Sequence, residues 1–412
     1  MALAAIAAAW FCYAGGRHAL ASHYASSPNF QNWERATRIE PDNPETLYRL
    51  GRFRQLDFDN EDLPLAISYY RRALQINPNS PFYKLDLAGA LETAGNTSEA
   101  DTQFQAAQAA YPISGEVSWK YGNFLLRQNR LPEAYGQIRR ALSVDPTLIP
   151  LGVSRVWHSD PNVHVLLDQV LPDTAVAYSN AVAFLAGEQN PTAAVEAWNR
   201  LTAKDPHTDW KRAFVLTDML VAQEKYDQAG AVWRQAIGMD PANAAGYSGN
   251  SLIYNGGFER DVADGGFGWR VKNTQGVDFD YDADEKHSGS RSAKLTFDGT
   301  KNLPYDGLSQ LVLVSPGTRY HFQGFMRTDQ ISTESGMRFE LLDAKSPKDL
   351  DVLTQNETGT APWTMEELDF VTGPQTHVIT VRVARKLSER LDNKLRGSLW
   401  VDDVSIVPAS GK

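Results

Sequence analysis

The spacing of hydrophobic residues changes once along this chain of 412 residues, near residue 250. Before that point apolar residues recur as on one face of a helix, and after it apolar and polar residues alternate in short runs. The first pattern predicts paired α-helices over residues 17–250, and the second predicts an antiparallel β-sandwich over residues 251–412. A small, polar stretch between Pro241 and Leu252 has the composition of a linker. We therefore predict two separable folding units, α followed by β, with their boundary in this stretch.

The helical part repeats with a period of 34 residues. Pro78, Pro112 and Pro146 are one period apart, and a pattern of small, large and small residues precedes each proline. The three copies of this pattern are Ala66/Tyr70/Ala73, Ala100/Phe104/Ala107 and Ala134/Ile138/Ala141. Small residues let two helices approach closely, the large residue fills the gap between them, and the proline ends the second helix. The pattern therefore predicts a series of helix pairs.

A second signature marks the first helix of each pair, where a large residue is followed by a small one. Its three copies are Leu50-Gly51, Leu87-Ala88 and Tyr121-Gly122. The distance along the chain from Gly51 to Ala66 exceeds the matching distance in the next two copies, which predicts an inserted loop around 57–62. A half copy precedes residue 44, and later copies contain Trp198 and Trp233, which we interpret as core residues.

Over residues 44–146 these positions agree in three successive copies, and this part of the chain resembles the tetratricopeptide repeat family. The resemblance implies a right-handed α-solenoid in which the first helix of each pair lines a concave groove. Arrays of this kind hold a protein or peptide partner in the groove. We expect Tyr48, Lys84, Asn123 and Arg127 to lie there.

Seven runs of alternating residues follow residue 252, each bounded by Gly, Pro, Asn or Asp. The runs are 294–297, 309–314, 319–327, 337–342, 365–371, 377–385 and 398–407. Four sequence elements, in this order, resemble a carbohydrate-binding module of the galactose-binding-like jelly-roll type. They are NGGFE (255–259), HSGSRSAKLTF (287–297), VSPGTRYHFQGFMRT (314–328) and GSLWVDDVSIV (397–407). The resemblance implies a jelly roll of antiparallel strands in which Trp269 and Trp400 pack in the core.

This second resemblance also implies two kinds of site. One is a structural Ca²⁺ ion held by Glu259 and Asp402 with main-chain oxygens near Ser288, since Ca²⁺ prefers carboxylate and carbonyl oxygens. The other is a glycan-binding surface, where exposed aromatic faces stack on sugar rings and planar polar groups bind hydroxyls. The candidate glycan-binding residues are Tyr305, Tyr320, Arg327, Trp363 and Arg382. We interpret the acidic run over 278–285 as a solvated loop and not as a second metal site.

An apolar segment occupies residues 1–16 and contains the cysteine Cys12. It is shorter than the ~20 residues that a membrane-spanning helix requires, and its first basic residue, Arg17, follows the segment. Three interpretations are open: an export signal or membrane anchor, a helix packed on the repeats, or a helix that lies in the membrane interface. We favour the first, which predicts a membrane-tethered protein in the periplasm or cell envelope.

The charge and the missing motifs narrow the class of function. A net charge of −10 without a long Lys/Arg cluster argues against a nucleic-acid partner. The sequence has no HExxH, no phosphate-binding glycine loop and no nucleophile elbow. These features favour a non-catalytic adaptor that binds a partner protein through its repeats and a polysaccharide through its sandwich, in exopolysaccharide assembly or export. The alternative is a purely structural protein–protein scaffold whose sandwich caps the solenoid and binds no sugar.

Overall fold

In the computed structural model, which describes residues 2–27, 29–391 and 393–409, helices occupy the chain as far as Ala244 and strands follow from Arg270. The change from helix to strand lies near residue 250, as the hydrophobic pattern predicts. The helices are α1 Ala2–Ser26, α2 Phe30–Ile39, α3 Pro44–Leu56, α4 Leu63–Ile76, α5 Pro81–Thr93, α6 Thr97–Ala110, α7 Gly115–Arg127, α8 Leu131–Val144, α9 Ile149–Ser159, α10 Ala175–Gly187, α11 Pro191–Lys204, α12 Phe214–Ala222, α13 Tyr226–Gly238 and α14 Pro241–Ala244. The chain forms two compact units, one ending at Ala177 and one beginning at Tyr178.

Turn residues between the repeats cap the helices that follow them. The Asn43 side chain accepts hydrogen bonds from the N–H groups of Glu45 and Thr46, both at 3.1 Å, and a proline occupies the first turn of α3. Ser80 caps α5 through the N–H of Tyr83 and is again followed by a proline. A capping side chain followed by proline satisfies the free N–H groups of a helix start and fixes its first backbone angle. These turns therefore decide where the first helix of each pair begins.

Glycine allows the paired helices to approach closely. A Cβ atom on Gly51 would lie 2.6 Å from Tyr70 Cε1, and one on Gly122 would lie 2.8 Å from Ile138 Cγ1. Tyr70 and Phe104, which the repeat pattern assigns to the core, are 0% and 2% exposed. The predicted insertion is also present, because α3 ends at Leu56 and α4 begins only at Leu63.

The N-terminal helix α1 differs between its two halves. Its second half packs against α2, and Ala21 is buried there. In its first half the side chains of Ile6, Trp10, Phe11 and Tyr13 are each more than 60% exposed. The three interpretations of residues 1–16 stay predictions. Within the part of the chain that is described, no helix is both long enough and apolar enough to cross a membrane.

The C-terminal part is a sandwich of two antiparallel sheets. Its strands are β1 Arg270–Val271, β2 Val277–Asp282, β3 Ser292–Asp298, β4 Tyr305–Leu313, β5 Arg319–Ile331, β6 Arg338–Asp343, β7 Asp351–Leu353, β8 Gly359–Val371, β9 Val378–Arg385 and β10 Arg396–Pro408. One sheet has the order β1-β4-β9-β6-β7 and the other the order β2-β3-β10-β5-β8. We call them the β9 sheet and the β10 sheet after their central strands. Each of the seven predicted runs overlaps a strand to within one residue at its ends, and the acidic run 278–285, interpreted as a solvated loop, instead supplies most of β2.

Alternating residues of both sheets meet in one core, which includes Trp269, Phe297, Phe322 and Phe339. Trp269 is 0% exposed, as predicted for a core residue. Trp400 is also buried, but it lies outside this core. Its neighbours along β10, Leu399 and Val401, belong to the core, so Trp400 points to the opposite face of the β10 sheet.

The second compact unit joins the last repeat helices to the sandwich through an aromatic cluster. Trp233 of α13 is 1% exposed, and its ring centroid lies 5.4 Å from that of Tyr254 and 6.0 Å from that of Phe267. Arg270 of β1 forms an ion pair of 2.6 Å with Asp218 of α12. Burial raises the pKa of the Asp218 carboxyl, and Arg270 opposes that rise. Trp233 is thus a core residue, as predicted, in a core shared with the sandwich.

Candidate functional site

The first helices of successive repeats in the N-terminal unit line a cavity of about 340 Å³. Its walls come from α3, α5, α7 and α9, with one residue of α6 at its base. The lining residues are Arg52, Gln55, Leu56, Leu85, Asp86, Gly89, Glu92, Phe104, Trp119, Lys120, Asn123, Arg127 and Arg155. We call this cavity the groove site. First helices line the concave side of such an array, which explains why charged residues from different repeats converge here.

Asp86 is the centre of one hydrogen-bond cluster in the groove site. It accepts a hydrogen bond of 2.6 Å from the Tyr48 hydroxyl and one of 3.2 Å from Lys120 Nζ, and Arg52 Nε lies 3.5 Å away. Burial opposes the charge on Lys120, but the Asp86 and Glu116 carboxylates outweigh it and raise the pKa of the ammonium group. Burial and the Asp86 contact together raise the pKa of Tyr48. Tyr48 and Lys120 therefore keep their protons at neutral pH, and the Asp86 charge is compensated.

Glu92 is compensated in the same way by Arg127. The guanidinium donates two hydrogen bonds to the carboxylate, of 2.6 and 2.8 Å. This is the bidentate geometry in which arginine binds a carboxylate most strongly. The second carboxylate of the groove site is therefore also fully paired.

Arg155 differs from these pairs, because its partners are neutral. Its Nη1 donates a hydrogen bond of 2.5 Å to Asn123 Oδ1, and its Cζ lies 5.6 Å from the centre of the Trp119 ring. Asn123 in turn donates to the Trp119 carbonyl at 2.8 Å, so it is oriented from both sides. Throughout 2–27, 29–391 and 393–409, no carboxylate lies within ion-pair distance of Arg155. The described lining residues carry four cations and two carboxylates, which leaves the groove site with an excess of positive charge.

Two of the four residues expected in the groove line this cavity. Asn123 and Arg127 do so, while Tyr48 borders the cavity through its contacts with Asp86 and Arg52, and Lys84 is absent from the lining. Sequence reasoning missed Arg155. Arg155 lies in α9, beyond the residues over which the 34-residue pattern is clear. The repeat pattern therefore does not identify it.

A second cluster lies on the outer face of the β10 sheet. Strand pairing places Lys294, Trp400 and Arg327 side by side on β3, β10 and β5. Lys294 Nζ lies 5.0 Å and Arg327 Cζ 4.8 Å from the Trp400 ring, in cation–π contact with it. The Trp400 indole N–H donates to Asp282 at 2.9 Å. We call this surface the tryptophan face.

The tryptophan face continues towards β8 with further aromatic groups. The His287 ring stacks on Phe325 with centroids 3.6 Å apart, and the Trp363 ring lies 5.9 Å from His287. Arg327 also pairs with Glu285 at 3.3 Å. Aromatic rings and fixed polar groups are therefore adjacent on one surface, which is the combination that sugar recognition requires.

The structure corrects part of the predicted glycan-binding set. Tyr305 and Tyr320 are 3% and 2% exposed and lie in the sandwich core, so neither ring offers a face to a sugar. Arg382 lies on the β9 sheet, where it pairs with Glu340 at 2.5 Å. Only Arg327 and Trp363 belong to the tryptophan face. The alternation that identified both tyrosines as strand residues does not show which face of the strand is buried.

Glu259 and Asp402 converge on one loop, 287–290. Asp402 accepts main-chain hydrogen bonds from His287 at 2.9 Å and Ser288 at 3.1 Å, and Glu259 accepts one from Ser290 at 2.8 Å. Both carboxylates border Gly257. Ser288 contacts Asp402 through its N–H group.

Asp402 is fully buried, and that burial, with Asp403 beside it, raises the pKa of its carboxyl to about 6. No cluster of three or more His, Cys, Asp or Glu side chains able to hold a metal occurs among the residues described. A site here would therefore depend on two carboxylates and main-chain oxygens. The two Glu259 oxygens and Asp402 Oδ1 each accept one recorded hydrogen bond, so each keeps a lone pair that a hard cation could use.

Comparison with known proteins identifies the repeats. Residues 85–148 match the tetratricopeptide repeat family. The small glutamine-rich tetratricopeptide repeat-containing protein 2 of Mycosarcoma maydis is 30% identical over 87 residues, which cover 21% of this chain and 25% of the relative. The match thus spans a quarter of that relative's length. The N-terminal part of the chain thus contains tetratricopeptide repeats and the C-terminal part is an antiparallel β-sandwich, which confirms the fold class predicted from the sequence.

Solved structures similar to each part of the chain have low sequence identity. MamA is 16% identical, with a TM-score of 0.29, and the match covers 43% of this chain and 86% of MamA. A family 16 carbohydrate-binding module is 19% identical, with a TM-score of 0.27, and the match covers 38% of this chain and 99% of the module.

Proposed function

We propose that this protein is a non-catalytic scaffold whose groove site holds an extended peptide segment of a partner protein, with a carboxylate of that peptide bound by Arg155. Arg155 carries the proposal, because it is the cation of the groove site whose partners are neutral. Asn123 holds one guanidinium nitrogen and Trp119 supports the plane, so the other N–H groups remain able to bind a carboxylate. A guanidinium that is already oriented loses little entropy on binding.

The neighbouring pairs support the same ligand. Asp86 and Glu92 would repel a carboxylate if they were unpaired, but Lys120 and Arg127 neutralise their charges. Leu56, which lines the cavity and is 65% exposed, provides apolar surface for the rest of the peptide. An acidic side chain or a free C-terminal carboxylate has the chemistry that this environment recognises.

An array of synthetic heptapeptides, each in an acidic and an amidated form, tests this proposal with the full chain. The acidic forms should bind, and Arg155→Ala should remove that binding. Arg140→Ala changes an exposed arginine outside the groove site and should leave binding unaltered. Equal binding of acidic and amidated peptides, or equal binding to the parent chain and Arg155→Ala, would contradict it.

We further propose that the tryptophan face binds a polysaccharide. Trp363 supports this, because it is partly exposed and its ring lies 5.9 Å from that of His287, on the surface that also carries the Arg327–Glu285 pair. A glycan array with the full chain is the test: Trp363→Ala and Arg327→Ala should each abolish binding. Arg382→Ala, on the other sheet, is the matched control and should bind like the parent. If no glycan binds, the sandwich has no sugar-binding role.

That negative outcome would favour the second candidate, a sandwich that only caps the helical array. The aromatic cluster of Trp233, Tyr254 and Phe267 supports it, since it covers helix surface that would otherwise face water. A cap requires the junction but not the tryptophan face. The glycan array therefore separates the two candidates.

Bound Ca²⁺ at Glu259 and Asp402 is also part of the proposal, with a structural role. A cation between the two carboxylates would remove their repulsion and stabilise the folded state. Chelation should lower the melting temperature, and Glu259→Gln should abolish that sensitivity. An unchanged melting curve with chelator, together with no calcium by metal analysis, would exclude the site.

The exposed apolar half of α1 supports the proposal of a membrane tether in the cell envelope. A role in exopolysaccharide assembly or export would follow if the tether and the glycan site both exist. Cell fractionation tests the tether: the chain should be found with membranes, and a chain lacking residues 1–16 should not. Recovery of both in the soluble fraction would exclude it.

A further inference from the structure

We propose that the free edge of β4, at Leu311 and Leu313, binds an extended apolar peptide of a partner protein as an added β-strand. The pairing of β1 with β4 leaves this edge open. β1 is two residues long and pairs only with Leu308 and Ser309. Before Arg270 the chain turns back on itself, with Asp264 N–H bonded to the Trp269 carbonyl at 2.9 Å. Beyond Ser309, β4 continues to Leu313 with β9 on one side alone.

The alternation of hydrogen bonds along β4 shows which main-chain groups are unpaired. Val314 N–H donates to the His377 carbonyl at 2.9 Å, next to β9, and Lys272 N–H donates to the Gly307 carbonyl at 2.8 Å on the opposite edge. Main-chain groups alternate between the two edges of an antiparallel strand. Leu311 and Leu313 therefore direct their N–H and C=O groups away from β9. Among the residues that the structure describes, neither leucine has a recorded main-chain partner on that side.

A cavity of about 660 Å³ lies beside this edge, within the second compact unit. Its walls include Trp233 and Ile237 of α13, Leu252 and Phe267, and Leu311 and Leu313 themselves. Its rim carries Asp227, Arg234 and His377, a mixture that favours neither sign of charge. The cavity thus suits apolar side chains, while the strand edge suits a backbone.

Only an extended peptide satisfies both surfaces. Its main chain pairs with Leu311 and Leu313, and its alternate side chains enter the cavity. A small apolar ligand would leave four main-chain groups without partners. In a second copy of this chain, the β4 edge is flanked by the α13 of that copy. A free peptide segment therefore fits this edge better than another sheet edge does.

The probe is a phage-displayed library of random heptapeptides, selected on the full chain. That chain carries Arg155→Ala, so that peptides binding the groove site do not dominate the selection. The best peptide is then titrated against two variants of the same chain. Leu311→Pro removes one edge donor that the β4–β9 ladder does not use, and Leu311→Val keeps the donor. Binding should weaken at least tenfold in Leu311→Pro and less than twofold in Leu311→Val. Equal binding to the two variants, or a library without an enriched peptide, overturns the proposal.

N-methylation of the peptide backbone gives a second readout that does not require Leu311→Pro to fold. Methyl groups on every second residue should abolish binding in one register and be tolerated in the other, because only one edge of the added strand faces β4. Equal effects in both registers overturn the proposal. So does a concentration-dependent dimer, seen by sedimentation without peptide and lost in Leu311→Pro, since the edge would then pair with a second copy.

Discussion

Two buried polar residues, Asn123 and Asp402, orient the groups around the candidate sites. Asn123 is almost fully buried, yet both ends of its amide are used, one by Arg155 and one by the Trp119 carbonyl. Asp402 is fully buried and accepts three main-chain hydrogen bonds. Each holds a neighbouring element in place through bonds that water would otherwise supply. Their effects are measurable one residue at a time.

Tyr70 should be among the most costly residues to truncate in the repeats. It is 0% exposed and packs directly over Gly51, so Tyr70→Ala leaves a cavity that α3 and α4 cannot close. We expect a loss of ~3–5 kcal/mol in the free energy of unfolding, measured by denaturant titration. Phe58 is 98% exposed, and Phe58→Ala should change stability by less than ~0.5 kcal/mol. Similar losses in the two variants would show that the assigned repeat register is wrong.

In the calcium-free protein, Asp402 should make stability depend on pH in a defined direction, whereas a bound cation would favour its charged form. Its pKa is raised from 3.8 to about 6, so the folded state prefers the protonated carboxyl. Stability is then greatest below about pH 4 for this group and falls as the pH rises from about 4 to 6, by about 3 kcal/mol. Burial also raises the pKa of Glu366 to about 6, so Glu366 contributes in the same window. Asp402→Asn should therefore remove part of the slope between pH 4 and 6, and an unchanged slope would show that Asp402 does not titrate there.

Among the helices and strands, the sequence predicted those elements in which the same contacts recur from one repeat to the next. The prolines and the small and large positions of the array predicted α3 to α8, because each copy repeats the same contacts. The acidic run at β2 was misinterpreted, since its charges suggest a loop, while its alternate residues pack against the sandwich. The tryptophan face was not predicted either. Trp400 points away from the core, and only the pairing of β10 with β3 and β5 reveals its neighbours.

The turn at Gly266 should be essential for docking of α13 on the sandwich. Gly266 has a φ of +55°, and a Cβ there would lie 2.5 Å from the Trp233 ring. Gly317 also has a positive φ, of +63°, but open space surrounds its Cβ position. Both glycine-to-alanine changes cost ~1–2 kcal/mol for the backbone, and Gly266→Ala adds the clash with Trp233. We expect Gly266→Ala to lower the melting temperature clearly more than Gly317→Ala, and equal shifts would mean that the Trp233 contact is dispensable.

For the whole molecule, the chain divides differently by secondary structure and by packing. Helices give way to strands near residue 250, whereas the compact units meet at Ala177 and Tyr178. Hydrophobic periodicity predicts the first division, because it reports the local backbone. It does not predict the second, which depends on long-range contacts such as those of Trp233 with Tyr254 and Phe267. The separability of residues 251–412 stays a prediction.

Two fragments test whether residues 252–412 fold separately from the helices. Residues 252–412 should show a β-type circular dichroism spectrum, as the sequence predicts for an independent sandwich. Residues 178–412 keep the aromatic cluster and should melt at a higher temperature, because that apolar surface stays buried. Limited proteolysis of the full chain should cut first between Pro241 and Leu252. An unfolded 252–412 fragment, or cleavage scattered over the chain, would contradict the prediction that the helices and the sandwich are separable folding units.

A double-mutant cycle across the groove site tests the central claim most directly. The dissociation constant of the best acidic heptapeptide is measured by calorimetry for the parent chain and Arg155→Ala, each with the peptide and with its carboxylate replaced by an amide. If Arg155 binds that carboxylate, the two changes should not be additive, and the coupling should be at least ~1.5 kcal/mol, the range of a hydrogen bond to a charged group. Additive effects within ~0.3 kcal/mol would show that Arg155 and the carboxylate do not meet, and would contradict the proposed scaffold function of the groove.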